Sequence, residues 1–465
     1  SMKYNQISEE RNKSFQNKVN SLFSSQQLPK SPFTDIETRL LLNQLSLQDF
    51  NNFQVAGVGE REGRVINQIV AESSFGFAHG IGRSGNLLDE QPKAPGSNQL
   101  HKVTLNLLKD ALVKSGFKSV KSVLVVPSAT GMTLSFVLRA LRLKRVLWLR
   151  CDQKSVPKGI ELAADVVKVV HCVKVRTPVL GQEQKIDVCE KVEENQQDQL
   201  NSESVESMVS DYAELEKQLA TGQFDCVVST ASCFAPRQPD DLRLVSKLCR
   251  TYKAKHIVNN AYGVQSQLVM KELDTCDDVC CVVSSLDKNF LVPVGGAVIY
   301  SKHCQVIKEI SEKYAGRASI SDIVRLFVTF IQLGKAGFLD LLAQREAVFD
   351  KLRKSLNAKV VPRNQISIYL PLKQVVTQDF NTVDEVNKGK NDRLGLNQDI
   401  GAKLFRSAVS GCRVDRRGEQ ISLCGELLED FGTHAKDGIE AIVFAAGLGM
   451  SEKEVEVLLK LIKGV

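Results

Sequence analysis

One lysine in this sequence stands where an amine could do covalent chemistry. Residues Cys281–Leu286 read as a strand that runs into Asp287-Lys288-Asn289-Phe290, followed by Leu-Val-Pro-Val-Gly-Gly and a second strand at Ala297–Tyr300. A lysine at a strand end before a glycine turn can project its amine into a crevice at the sheet edge. Desolvation there lowers its pKa and makes it a nucleophile toward an aldehyde. A surface lysine in a hairpin is the plainer alternative.

Three other stretches could serve such an amine. Pro127-Ser128-Ala129-Thr130-Gly131-Met132-Thr133 lies where a strand gives way to a helix. Small residues there let backbone N–H groups and a helix N-terminus approach an anion, although ordinary helix starts look similar. The strand His256–Val258 runs into Asn259-Asn260-Ala261-Tyr262-Gly263. An amide at that strand end can hydrogen-bond a heterocyclic nitrogen but cannot hold it protonated, which would leave a bound ring a weaker electron sink. A polar turn is again the alternative. Finally, Gly59-Glu60-Arg61-Glu62-Gly63-Arg64, Gly80-Ile81-Gly82-Arg83-Ser84-Gly85 with Gln91-Pro92-Lys93, and Gly316-Arg317-Ala318-Ser319 combine glycine with arginine. They look like pieces of an anion receptor, or like solvated turns.

The elements that would position these residues alternate along the chain. Strand-like runs at Ser122–Val126, Arg145–Arg150, Val166–Val170, Cys226–Ser229, His256–Val258 and Cys280–Val283 are separated by helical patterns, one of them Thr133–Arg142. That alternation predicts an α/β fold with a mainly parallel sheet covered by helices. Helical periodicity over Ile320–Leu352 would bridge to a smaller C-terminal α+β domain. The expected division is a helical N-terminal extension at 1–49, a large catalytic domain at 50–325 and a small domain at 326–465. In the extension, Ile36, Leu40, Leu41, Leu45 and Leu47 form an apolar stripe that could pack on the body or on another subunit. The polar stretches Glu190–Lys217 (at least its first half) and Asn387–Asn397 read as surface insertions.

Of the 465 residues 43% are hydrophobic, ample for a core. The net charge of +7 permits nucleic-acid binding without demonstrating it. No stretch approaches the roughly 20 apolar residues of a membrane span, so no membrane partner is expected. The 12 cysteines lack metal-like spacing, so no metal site is expected, and they read as reduced residues of a cytoplasmic protein.

Taken together, GVGEREGRV (57–65), HGIGRSG (79–85), QPKA (91–94), ATGM (129–132), DQKS (152–155), SCFAPR (232–237), IVNNAYGVQS (257–266), SLDKNFLVPVGGA (285–297) and GRAS (316–319) resemble the O-phosphoseryl-tRNA(Sec):selenocysteinyl-tRNA synthase family. The resemblance covers about Asn51 to Ser319, with weaker matches on either side. It implies a homotetrameric fold-type-I pyridoxal 5'-phosphate transferase whose active sites are each shared between two subunits. Phosphoseryl-tRNA(Sec) would become selenocysteinyl-tRNA(Sec), with selenophosphate as selenium donor. By this resemblance Lys288 is the lysine that holds the cofactor covalently, and Arg61, Ala129, Thr130, Gln153 and Asn259 surround it. Arg83, Ser84, Gln91 and Arg317 correspond to the receptor for the substrate phosphate. Glu60 corresponds to a glutamate that would repel the free α-carboxylate of loose phosphoserine, and Arg406 to a tRNA-contacting arginine.

Two departures bear on tRNA docking. Leu273–Asp278 is short and acidic where the family carries a basic loop, and the sequence stops at Val465 without the basic tail expected there. Two other readings stay open on sequence alone. One is a fold-type-I enzyme acting on a free amino acid, for which Cys412 and Cys424 keep a desulfurase conceivable. The other is a catalytically silent tRNA-binding protein on the same fold.

Overall fold

The computed structural model describes residues 2–53, 56–178, 204–373, 401, 404–406 and 409–463. Nine strands belong to the large domain: β1 (Ser122–Val126), β2 (Arg145–Leu149), β3 (Val166–Val170), β4 (Cys172–Pro178), β5 (Ser204–Ser210), β6 (Cys226–Thr230), β7 (Lys255–Asn259), β8 (Val279–Ser285) and β9 (Ala297–Ser301). Seven of them form one sheet in the order β1-β9-β8-β7-β6-β2-β3. Only β9 runs against its neighbours, pairing antiparallel with β1 and β8, while the β8-β7-β6-β2-β3 pairs are parallel. Every residue of β6, β8 and β9 is buried, as a sheet covered on both faces requires. Since β1, β2, β6, β7 and β8 point the same way, their carboxyl ends share one edge.

The N-terminal helix Asp35–Ser46 starts at a reciprocal cap in which Thr34 and Glu37 satisfy each other's backbone N–H groups. Its buried face is Leu41, Leu42 and Leu45, which join the core of the large domain. Ile36, Leu40 and Leu47, expected on the same stripe, lie on the exposed side. Spacings of three and four residues fit both faces of this helix, and only packing tells them apart.

Helix Ser321–Leu356 runs across the 325/326 junction and turns at Gly334, whose backbone is non-helical (φ 61°, ψ −172°). A Cβ there would lie 2.7 Å from the Pro29 carbonyl oxygen, so glycine is what lets the N-terminal segment cross the helix. Contrary to the sequence expectation, this helix contains an 18-residue window of mean hydropathy 1.5, long and apolar enough to cross a membrane. Its Ile323, Leu326, Phe327, Phe330 and Ile331 are buried in the large-domain core instead.

Beyond it, β10 (Ser367–Pro371), β11 (Arg413–Asp415) and β14 (Ala441–Ala445) make a three-stranded antiparallel sheet, with a hairpin of β12 (Ile421–Leu423) and β13 (Glu426–Leu428). Helix Glu452–Lys463 contributes Val455 and Leu458 to a second core with Val348, Leu352 and Phe444. The expected insertion at 190–203 and the stretch Asn387–Asn397 lie outside the described residues. The rest of the first forms β5, paired with β4, and helix Tyr212–Ala220.

A buried polar knot joins the two domains. The Asp152 carboxylate accepts from Arg150 Nε at 2.9 Å, from the Gly432 N–H at 2.8 Å and from the His434 N–H at 2.7 Å. Arg150 also donates to the Glu429 carbonyl at 2.8 Å, and Arg413 donates to the Asp152 carbonyl at 3.0 Å. Arg237, paired with Asp240 at 2.9 Å, donates to the Arg150 carbonyl at 2.8 Å.

Two expectations follow for stability. Replacing Asp152 with alanine leaves the buried Arg150 without its counter-charge, and the expected loss is about 3–5 kcal/mol in urea unfolding. Burial also pushes the imidazoles of His101, His256 and His434 down to about 4, about 3 and about 3, against about 6.5 in an unfolded chain. The stability these neutral rings contribute is complete above pH ~6.5 and is lost as pH falls, because the unfolded chain binds protons first. Each contributes a slope of about 1.4 kcal/mol per pH unit between its unfolded and folded pKa. Unfolding curves at about pH 7 and about pH 5 should therefore show a lower midpoint in acid; an equal midpoint contradicts the account.

Candidate active site

The carboxyl edge of the sheet opens into a cavity of about 550 Å³ that Lys288, Ala129, Thr130, Gln153 and Asn259 all line. Five residues nominated from four separate stretches of sequence thus meet in one place, Asn259 at the end of β7 and the others shortly after a strand. Crevices at this edge are where open α/β sheets bind ligands.

Lys288 does not sit at the end of β8 as its sequence context suggested. It lies in a one-turn helix, Leu286–Phe290, that stops at Leu291 in the left-handed conformation (φ 54°). Its ammonium lies 3.2 Å from Ser285 Oγ and 3.4 Å from Asp287 Oδ2, while Ser285 donates a short hydrogen bond to Asp287. The side chain is 48% exposed, so the desolvation expected of it is absent from the single chain. Ser285 and Asp287 were missed as site residues; the acidic neighbour directly before the lysine was the available signal.

The anion cup is the start of helix Thr130–Ala140, where Ala129 is the N-cap and no side chain caps the N–H groups. The helix approaches the next one, Ser155–Ala163, very closely. A Cβ on Gly131 would lie 2.5 Å from the Ser155 carbonyl oxygen, and one on Gly159 would lie 2.2 Å from the Gly131 oxygen. Both glycines are required by this contact, which brings Gln153 and Ser155 to the cavity wall beside the cup.

Opposite stands Asn259, fully buried, with neither its Oδ1 nor its Nδ2 hydrogen-bonded among the described residues. A buried amide is costly without partners, and this one is left open to a ligand's hydrogen bonds. Phe234 and Tyr262 stack beside it with centroids 5.2 Å apart. The far wall comes from the small domain, through Ile366, Ala445, Gly447 and Leu448. No sequence signal marked those residues. An electropositive helix start, an unsatisfied amide and an amine in one cavity fit pyridoxal phosphate, with its phosphate, ring nitrogen and aldehyde as the respective partners.

The remaining nominated residues assemble elsewhere. Ile81 and Ala318 exchange backbone hydrogen bonds at 2.9 and 3.1 Å, and the Gly85 N–H reaches the Gly316 oxygen at 3.3 Å. This pairing brings the Arg83-Ser84 turn beside Arg317. Gly80 makes it possible, since a Cβ there would lie 2.3 Å from the Ala318 oxygen. The Gln91 backbone is held by Asn98 at 2.9 Å. Behind the turn His79 is buried with both ring nitrogens unpartnered among the described residues, and burial lowers its pKa, only partly offset by Asp49. Glu60 and Arg61 pair at 3.4 Å on an exposed loop, and Val58 and Ile66 beside them are bare to solvent. None of Glu60, Arg61, Arg83, Ser84, Gln91 or Arg317 lines the Lys288 cavity of the same chain. Arg406 is exposed, next to buried Leu404.

The comparisons with known proteins agree with this geometry. The family of O-phosphoseryl-tRNA(Sec) selenium transferase, SepSecS, matches residues 48–465. The chain is 33% identical to the O-phosphoseryl-tRNA(Sec) selenium transferase of Dictyostelium discoideum, covering 96% of this chain and 92% of the relative. It is 30% identical to that of Methanocaldococcus jannaschii, covering 87% and 86%. The crystal structure of the archaeal O-phosphoseryl-tRNA(Sec) selenium transferase superposes with a TM-score of 0.78 at 25% identity, over 100% of this chain and 98% of the other. Mouse CSAD, at 12% identity and a TM-score of 0.53 over 85% and 79%, shares the fold alone. With a cavity at the sheet edge suited to pyridoxal phosphate and a match across nearly the whole chain, the protein belongs to the O-phosphoseryl-tRNA(Sec) selenium transferase family.

Proposed function

We propose that the protein converts O-phosphoseryl-tRNA(Sec) to selenocysteinyl-tRNA(Sec), with selenophosphate as donor. The observation that carries this reading is the cavity in which Lys288, the helix start at Thr130 and the unsatisfied amide of Asn259 face one another. Ala129 and Thr130 would hold the cofactor phosphate, Asn259 its ring nitrogen and Gln153 its flank, with Arg61 reaching it from a neighbouring subunit, since it lies outside its own chain's cavity. Pyridoxal phosphate, when bound, withdraws electrons from the Cα–H bond of the phosphoseryl group.

The Lys288 amine takes the α-proton, and the Asp287 carboxylate at 3.4 Å stabilises the ammonium that results. Arg83, Ser84, Gln91 and Arg317 hold the β-phosphate and stabilise its charge as the Cβ–O bond breaks. Phosphate is a good leaving group, so an amide at position 259 suffices where harder carbanion chemistry would need a carboxylate. Selenium from selenophosphate then bonds to Cβ, the proton returns to Cα from Lys288, and water cleaves the Se–P bond, releasing a second phosphate. Glu60 disfavours a free α-carboxylate and so selects the ester to tRNA.

The phosphate receptor lies outside its own chain's cavity, which supports active sites shared between two subunits of a homotetramer. The bare Val58 and Ile66 beside Arg61 support the same arrangement, since apolar groups on that loop gain from a covering subunit. Arg406, exposed on the small domain, is a contact for the tRNA. The free thiols, buried Cys226 and Cys281 among them, support a reducing compartment, the cytoplasm.

Borohydride treatment with pyridoxal phosphate should add the mass of the reduced cofactor to wild-type protein and not to Lys288→Ala. Equal labelling of both, or of neither, contradicts the assignment of the lysine. Sharing is tested by mixing Lys288→Ala with Arg83→Ala after dissociation and reassociation. Each variant alone should be inactive, while the mixture should regain turnover, because hybrid pairs contain one site with both residues intact. A mixture as dead as its components places lysine and receptor in the same chain's site.

A further inference from the structure

The loop that carries Glu60 and Arg61 is folded around one carboxylate, that of Glu62. Its Oε1 accepts from the Gly59 N–H at 3.1 Å, and the Arg64 guanidinium donates to the Gly57 carbonyl across the loop. A Cβ on Gly57 would lie 2.9 Å from Glu62 Cγ, and one on Gly59 would lie 2.5 Å from Glu62 Oε1, so the wrap requires both glycines. The Glu62 side chain is 13% exposed, whereas those of Glu60 and Arg61 are 85% and 68% exposed.

One polar contact ties this loop to the body. Lys93 Nζ donates to Glu62 Oε1 at 2.7 Å, and that hydrogen bond holds the Glu62 carboxyl below its ordinary range. Among the described residues, no other hydrogen bond or ion pair joins residues 56–66 to the rest of the chain; the Glu60–Arg61 pair and the remaining bonds are internal to the loop. A second contact is packing alone. Gly63, in the left-handed conformation at φ 67°, lies over the His79 ring, where a Cβ would come within 3.0 Å of Cε1.

Both contacts are made to the phosphate receptor. Lys93 follows Gln91 in the same turn, its carbonyl accepts from the Phe50 N–H at 2.9 Å, and Gln91 is anchored on Asn98. His79 opens the stretch that ends in the Arg83 turn, and it feels the charges of Arg317, Lys93 and Glu62. The receptor is held by its own backbone bonds, while the loop is held to it chiefly through Glu62. Because the Lys93 ammonium is engaged by Glu62, its place is beneath the loop and not among the groups open to a phosphate.

The α-carboxyl and the phosphate of phosphoserine are only a few bonds apart. Once the receptor holds the phosphate, Glu60 meets the carboxyl only if its loop is fixed relative to that receptor. A glycine-rich loop with one polar tether owes that position to the tether. We infer that the Glu62–Lys93 ion pair fixes the Glu60-Arg61 loop against the phosphate receptor, which makes Glu62 and Lys93 positioning residues for the choice of an esterified phosphoseryl group over free phosphoserine. This rests on the substrate reading above, and the experiment separates the two.

The probes are O-phosphoserine and its methyl ester, as competitive inhibitors of phosphoseryl-tRNA turnover by holoenzyme, and inorganic phosphate, whose binding is read by calorimetry. Wild type should favour the methyl ester. Glu62→Gln keeps an acceptor for the Gly59 N–H but loses the charge, and Lys93→Met loses the donor. Each should cut the preference about fivefold, the upper range for a partly exposed ion pair. The double variant should cut it no further, since both changes remove one interaction. Lys93→Arg, which keeps the pair, should retain it. Phosphate affinity and melting temperature should match wild type throughout.

An undiminished preference in both single variants overturns the tether alone, and so do losses that add in the double variant. Weaker phosphate binding in Lys93→Met but not in Glu62→Gln makes Lys93 a direct phosphate ligand and overturns it too. A wild type that treats acid and ester alike overturns selection by Glu60 and the tether with it. No turnover of phosphoseryl-tRNA by wild type overturns the substrate reading and everything that rests on it.

Discussion

The carboxylate of Asp152 lies where the large domain and the small domain meet. It is withdrawn from water and surrounded by donors: Arg150 on one side, the Gly432 and His434 N–H groups on the other. A buried anion is tolerated only when donors replace its hydration, and here the donors come from two distant pieces of chain. Arg150 belongs to the end of β2, while Gly432 and His434 belong to the loop that precedes β14. The segment 152–155 is thereby fixed to both domains, and with it the wall that carries Gln153 and Lys154.

That fixed segment decides how closely the next elements pack. Gly131 and Gly159 let the cup helix lie against the helix beginning at Ser155, with carbonyl oxygens where side chains would otherwise stand. On the far side Gly296 is pressed on Asp322, where a Cβ would lie 2.5 Å from a carboxylate oxygen. The reversed strand β9 carries the Gly295-Gly296 pair into the same cavity from between β1 and β8. Lys288 thus has its reach limited by backbone on several sides, and little of that backbone bears side chains. The roof is lent by the small domain through Gly447 and Leu448. The site is finished only when the two domains are held at this angle, which returns the geometry to Asp152.

The arginine-bearing loops follow another logic. The Arg83 turn and Arg317 are joined by two-way backbone bonding between Ile81 and Ala318, which needs no side chain and leaves Arg83 exposed and Arg317 half-buried. Glu60, Arg61, Val58 and Ile66 lie on a loop that its own chain leaves uncovered. Apolar residues left bare beside charged ones are expected where a surface is completed by another copy. One chain therefore carries the amine in its cavity and the arginine loops on a separate surface.

Much of this was legible from residues alone. Strands such as Ser122–Val126 and Val166–Val170 could be read to the residue, because runs of β-branched side chains flanked by turn residues have few other uses. Lys288, Ala129, Thr130 and Asn259 could be nominated because amines, small residues at helix starts and amides at strand ends each suit one kind of ligand atom, and Gln153 only through the family resemblance. Other features could not be read. The stripe of Ile36, Leu40 and Leu47 satisfies helical spacing as well as Leu41, Leu42 and Leu45 do, and only contact with the core separates them. Asp152 looks like a surface charge in sequence, since nothing local marks a charge for burial. The sequence by itself determined which chemical groups and which local elements exist, because those depend on side-chain type and on neighbours three or four positions away. Tertiary structure alone decided which groups share a cavity, which donors surround Asp152, and that the arginine loops stand outside their own chain's site. Those relations join residues hundreds of positions apart, and their energies come from desolvation and packing that exist only after the chain has closed on itself.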